Sequence, residues 1–121
     1  MALSISDQSN SLSYRLLLET DSQSSTPVIN ATGTSGSLYS IHADNAANGS
    51  STWLKIYDGT DLTVGTTAPS LTFELPASGE ISLTFPGGWA FNYLSFWVGT
   101  AADETNSADP SSAVKLVLVT S

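Results

Sequence analysis

Apolar side chains recur at every second position along most of this chain, and that period decides what it can fold into. In SLSYRLLLE, Leu12, Tyr14, Leu16 and Leu18 fall on one face. In SLYSIHAD, Tyr39, Ile41 and Ala43 face one way and Leu38, Ser40, His42 and Asp44 the other. In TWLKIYD, Leu54 and Ile56 oppose Trp53, Lys55 and Tyr57. Leu71, Phe73 and Leu75 alternate with Thr72 and Glu74, and Ile81, Leu83 and Phe85 with Ser82 and Thr84. The pattern returns at Leu94, Phe96 and Val98, and again at Val114, Leu116 and Leu118. Successive strand residues point to opposite faces, so this alternation marks half-buried antiparallel strands. No window of comparable length has apolar residues at helical spacing, so no substantial helix is expected.

Turn chemistry punctuates the strands at NAANGSS, DGTD, PASGE, FPGGW and NSADPSS. Pro76 to Glu80 reads as a hairpin tip, and Glu19 to Pro27 as a surface loop or extended arm. Seven or eight short, regularly punctuated strands read as a β-sandwich or small barrel. The expected fold is all-β: a single antiparallel, jelly-roll-like sandwich over residues 11–121. Residues 1–10, poor in apolar side chains, are expected to form a flexible arm that orders on a neighbour. There is no internal repeat and no second domain.

Composition narrows the function. At 121 residues the chain is one domain, and 40% apolar content supports a core. Charged residues are only 12%, so Ser, Thr, Asn and Gly supply the polar surface, as in extracellular or particle-borne β proteins. Eleven acids against three bases (Arg15, Lys55 and Lys115) give a net charge of −8. Such a chain does not neutralise a phosphate backbone or an anionic membrane, so neither nucleic acid nor membrane is an expected partner. With no cysteine, disulfides, thiolate metal sites and thiol nucleophiles are excluded. MALSISDQSN lacks the basic and apolar regions of a signal peptide, and no apolar run reaches membrane-spanning length. Asn30 and Asn48 fit the glycosylation pattern, which arises by chance in a chain so rich in Ser and Thr.

Candidates for chemistry are sparse. His42 and Asp44 share a strand face and could hydrogen-bond, but no Gly-x-Ser-x-Gly elbow supplies a nucleophile. A small hydrolase using His42 and an acid is the catalytic alternative; the expectation is no enzyme, no cofactor and no metal. Asp58 and Asp61 flank a tight turn. Asp103, Glu104 and Asp109 cluster in a loop that could supply calcium with oxygen ligands, although the spacing matches no EF-hand. Trp53, Tyr57 and Trp97 lie opposite the Leu54/Ile56 and Phe96/Val98 faces. They are candidate interface residues, since aromatic side chains dominate interface cores. Their other readings are a covered outer face and a sugar-stacking platform. Trp89, after two glycines, is expected to plug one end of the core.

The segments SLYSIHADNAANGSSTWLKIYDG, TVGTTAPSLTFELPASG, LTFPGGWAFN and VGTAADETNS, in that order and spacing across Leu38 to Asn106, resemble small virion structural proteins of tailed phages. The chain departs from that pattern at Trp89, where an aliphatic residue is expected, and in its final VLVTS, which lacks a terminal aromatic. The resemblance implies a sandwich or jelly-roll domain on the outer surface of a phage capsid. There it would act as a cement, or decoration, protein that binds the major capsid protein, associates with itself as a homotrimer and ties capsomers together. The alternative it leaves is a carbohydrate-binding or host-recognition module of a tail fibre or baseplate.

Overall fold

A computed structural model describes residues 1–7 and 14–121. It contains eight strands: β1 (Leu3–Asp7), β2 (Arg15–Ser22), β3 (Gly36–Asp44), β4 (Thr52–Asp58), β5 (Leu71–Leu75), β6 (Glu80–Phe91), β7 (Leu94–Gly99) and β8 (Val114–Thr120). There is no helix among the described residues. A five-stranded sheet in the order β1-β2-β8-β3-β6 packs on a three-stranded sheet in the order β5-β4-β7. The all-β sandwich read from the alternation is the observed fold.

The ladders are nested. β2 pairs with β8, Val28 bridges to Phe96 of β7, β3 pairs with β6, and β4 with β5, all antiparallel. Outermost segments pair with outermost and innermost with innermost, as in a long hairpin rolled into two layers. This is jelly-roll connectivity, with the strand before β3 reduced to the Val28 bridge. β1 lies outside the roll, as an extra strand beside β2. Leu17, Leu38, Ile41, Leu116 and Leu118 of the larger sheet meet Leu54, Ile56, Leu94, Phe96 and Val98 of the smaller in the buried core. Trp89 packs against that core, partly buried, as expected for a plug.

Four local expectations change. In β2 it is Leu17 that is buried, while Leu16 and Leu18 face out. Three consecutive leucines satisfy either phase, and a one-residue slip exchanges the faces of a strand. Leu12, assigned to the same face, lies outside the described residues. In β3, Leu38 and Ile41 are both buried. A bulge at Tyr39 makes this possible: Leu38 pairs with Thr120 and Ser40 already with Val119. Pro76 to Glu80 is not a hairpin tip, because β5 pairs with β4 and β6 with β3, so this turn carries the chain between sheets. FPGGW does not end a strand. Phe85–Gly88 form an excursion inside β6, with Trp89 pairing to Leu38 and Thr84 to Ser40. Gly87 and Gly88 have φ of 79° and 84°, where only glycine is at ease. A Cβ on Gly88 would lie 2.8 Å from the Ser37 Cβ.

The stretch Glu19 to Pro27, read as a surface loop or extended arm, begins as strand, since β2 runs on to Ser22. Within the proposed 1–10 arm, Leu3–Asp7 is paired to β2; residues 8–10 lie outside the described residues.

Candidate functional site

The outer face of the smaller sheet carries the aromatic candidates, and two loops cover it. Lys55 is fully buried, and its Nζ donates to the Asp103 carbonyl at 2.7 Å. That bond draws the loop after β7 across the sheet. Asn106 fixes the loop's return, accepting from the Thr100 N–H and donating to the Thr100 hydroxyl. The loop between β4 and β5 meets it from the other side, where a Cβ on Gly65 would sit 3.3 Å from Ser107. Trp97, beside Lys55 in the register, is 1% exposed. It therefore has no surface to offer a partner, which corrects its assignment as an interface residue. Trp53 and Tyr57 are half-buried. Burial holds the Lys55 ammonium below the ordinary lysine value of 10.5, against the opposing pull of Asp103.

The acidic residues have local duties. Asp58 accepts from the N–H groups of Asn92 and Tyr93 at 2.8 and 2.9 Å, fixing the β6–β7 crossing. Asp109 accepts from Ser25 N–H at 2.7 Å. Asp103 serves through its carbonyl, and Glu104 is exposed. Among the described residues, no group of three or more His, Asp or Glu is arranged to hold a metal.

His42 does not bond Asp44, whose carboxylate accepts from Ala46 N–H instead. Its Nδ1 lies 2.9 Å from Ser82 Oγ and its Nε2 3.1 Å from Glu80 Oε1. These side chains lie on an open strand face with His42 and Glu80 about half exposed. Activated serines work in a water-excluded cleft with oxyanion donors; this group sits on a flat sheet. Two shallow hollows of about 190 and 220 Å³ lie elsewhere, the first lined by Asp44, Ala46, Ala47, Ala113 and Lys115 and the second by residues 48–52, Thr100 and Pro110.

Asn48, the second glycosylation candidate, is 3% exposed and fully engaged. Its amide donates to Asn45 Oδ1 and the Ser112 carbonyl, and its oxygen accepts from Ser112 N–H. Asn45 completes the network: it donates to the Ser50 and Pro76 carbonyls and accepts from the Thr52 hydroxyl. Three connections at one end of the sandwich are thereby tied together.

The surface that stands out is the outer face of the larger sheet. Register sets two rows across its five strands: Ser6, Leu16, Val119, Ser40, Thr84, and Ser4, Leu18, Val117, His42, Ser82. Leu16, Leu18, Val117 and Val119 form an aliphatic block at the centre, with Leu18 39% exposed. Serines and threonines flank it. Tyr14 and Tyr39 meet edge to face at 5.1 Å beyond one end. At the other end Lys115, Asp44 and Glu80 form a charged row, in which Asp44 pairs with both neighbours. The two central rows contain no carboxylate. This face was missed because single-phase alternation hides it. Its signal is apolar residues at consecutive positions, Leu16-Leu17-Leu18 and Val117-Leu118-Val119, which make both faces of a strand apolar.

No family model, curated protein or solved structure matches the chain.

Proposed function

We propose that this protein is a non-catalytic structural domain of a virus particle, a capsid cement protein of the kind its sequence resembles, and that it docks through the outer face of its larger sheet. One observation carries the reading: a chain of net charge −8 keeps the two central rows of that face free of carboxylates and fills them with Leu16, Leu18, Val117 and Val119. Exposed contiguous apolar surface marks interaction sites, and removing acids from it lowers the desolvation cost of docking. Serine and threonine hydroxyls at its margin supply hydrogen bonds to a shell protein. Jelly rolls recur in capsid and lectin domains, a fold-level analogy only. The lectin alternative loses support from the burial of Trp97.

The test is recruitment to particles. Antibodies against this protein should label the outside of intact virions, and purified protein should co-sediment with particles stripped of it. Leu18→Asp, at an exposed position, should abolish co-sedimentation while leaving the melting temperature nearly unchanged. Val117→Asp, at the half-buried position beside it, should abolish co-sedimentation at some cost in stability. Unlabelled particles, or recruitment indifferent to both substitutions, would refute the reading.

A further inference from the structure

A two-layer sandwich has four sheet edges, and an exposed edge invites strand pairing unless it is blunted. Three of the four are blunted here. β7 takes the Val28 bridge on its free side, and Ala31 N–H adds a bond to the Leu94 carbonyl. β6 is interrupted by the excursion through Pro86, Gly87 and Gly88. β5 is five residues long, between Pro69 and Pro76. β1 is as short as β5, but among the described residues it has no bridging segment, no excursion and no flanking proline. It contains no proline, lysine or bulge, and β2 is its one neighbour among the described residues.

The hydrogen-bond phase of β1 follows from one contact. Thr20 N–H donates to the Ala2 carbonyl at 3.4 Å. In an antiparallel ladder, hydrogen-bonded pairs alternate with non-bonded ones, so Ser4/Leu18 and Ser6/Leu16 are bonded pairs too. Leu3, Ile5 and Asp7 therefore direct their N–H and C=O groups away from β2, toward the open side. Ile5 faces the core side opposite Leu17, yet it is 43% exposed where Leu17 is buried.

We infer that β1 is the pairing edge for a second copy of this chain. Two β1 strands run antiparallel about a two-fold axis at Ile5, and the two five-stranded sheets become one continuous sheet. Ile5 lies opposite the partner's Ile5, Ser4 opposite the partner's Ser6, and Leu3 opposite the partner's Asp7. The occupant follows from the strand itself. A two-fold axis at Ile5 sets small uncharged Ser4 against the partner's Ser6 and the half-exposed Ile5 against its own copy, so the side chains that meet match in size and polarity. Its centre is uncharged in a chain whose net charge of −8 repels other copies. In this register no acid faces an acid, and each Ile5 covers the other. The contact is two-fold, in place of the three-fold association that the sequence resemblance implies. It does not depend on the docking role given to the outer face.

Because the chain has no cysteine, the register is directly testable by crosslinking. Ser4 and the partner's Ser6 occupy non-bonded positions, with Cα atoms about 4.5 Å apart, within disulfide range. Single variants Ser4→Cys and Ser6→Cys, mixed under mild oxidation, should give the mixed covalent dimer in excess over either homodimer. Adding Ile5→Pro to both should abolish it, because proline there removes an edge-facing N–H and none from the β1–β2 ladder. Ile5→Lys should do the same by placing like charges together, and serves if the proline variant melts early. Mixed dimer no faster than that of a Ser25→Cys control, equal homodimers, insensitivity to both Ile5 substitutions, or a trimeric mass in solution would each overturn the proposal.

Discussion

Asn45 holds four hydrogen bonds with its side chain alone, two given and two received. Each buried partner left unpaired costs about 1–3 kcal/mol, so Asn45→Ala should destabilise the fold by on the order of 3 kcal/mol, measured by urea denaturation. Lys55 makes a different prediction. Its pKa is lowered in the fold by burial, so between that value and 10.5 the unfolded chain binds more protons than the folded one. Stability then rises with pH across that window. The melting temperature of the parent relative to Lys55→Met should therefore increase as pH climbs toward 10.5, and a flat difference would show that Lys55 is not desolvated. The sequence shows Lys55 between Trp53 and Tyr57, but not what covers it. Its cover comes from Asp103, 48 positions away, and such pairing leaves no local pattern to read.

At the scale of elements, the strands were legible because a half-buried strand prints its period on the sequence. β4, β7 and β8 bury the residues that alternation nominates. Where both phases are apolar, as at Leu16-Leu17-Leu18, the period loses its origin, and the fold takes the phase that buries Leu17 and, with it, Glu19. That carboxylate turns inward because Oε1 accepts from the N–H groups of Ala2 and Asp21, each at 2.8 Å. Partners were not legible: alternation gives each strand a face but no neighbour, so the turn at Pro76 looked like a hairpin. The excursion in β6 is the element most sensitive to a small change. Gly88→Ala would place a methyl against Ser37 and Tyr39 at positive φ, and should cost roughly 1–3 kcal/mol, visible as a lower urea midpoint. Ala90→Gly, on the exposed strand residue nearby, should cost only about 0.5–1 kcal/mol.

For the whole molecule, the roll closes without β1. Val28, β3, β4, β5, β6, β7, β2 and β8 supply every nested pair, so a chain beginning at residue 14 should keep its far-ultraviolet circular dichroism spectrum and unfold cooperatively, at a lower temperature. Loss of the β spectrum would show that β1 belongs to the nucleus of the fold. The candidate surface was partly legible at this scale. Absence of cysteine and excess of acid narrowed the partners, while the aromatic residues drew attention to the sheet face that loops cover.

Nesting also sets the order in which this molecule is able to assemble. β8 lies inside the larger sheet, bonded to β2 on one side and β3 on the other, although some ninety positions of chain separate it from β2. On a ribosome, β4 and β5 can pair as soon as both emerge, but the larger sheet has a gap at its middle until Val114–Thr120 appears. Until then β2 and β3 expose ladder edges and apolar faces, the condition under which nascent chains aggregate or call on chaperones. Closing so long a loop is slow even when the product is stable. A polypeptide built this way folds late and nearly all at once, and its yield in a cell is governed by how long that interval lasts.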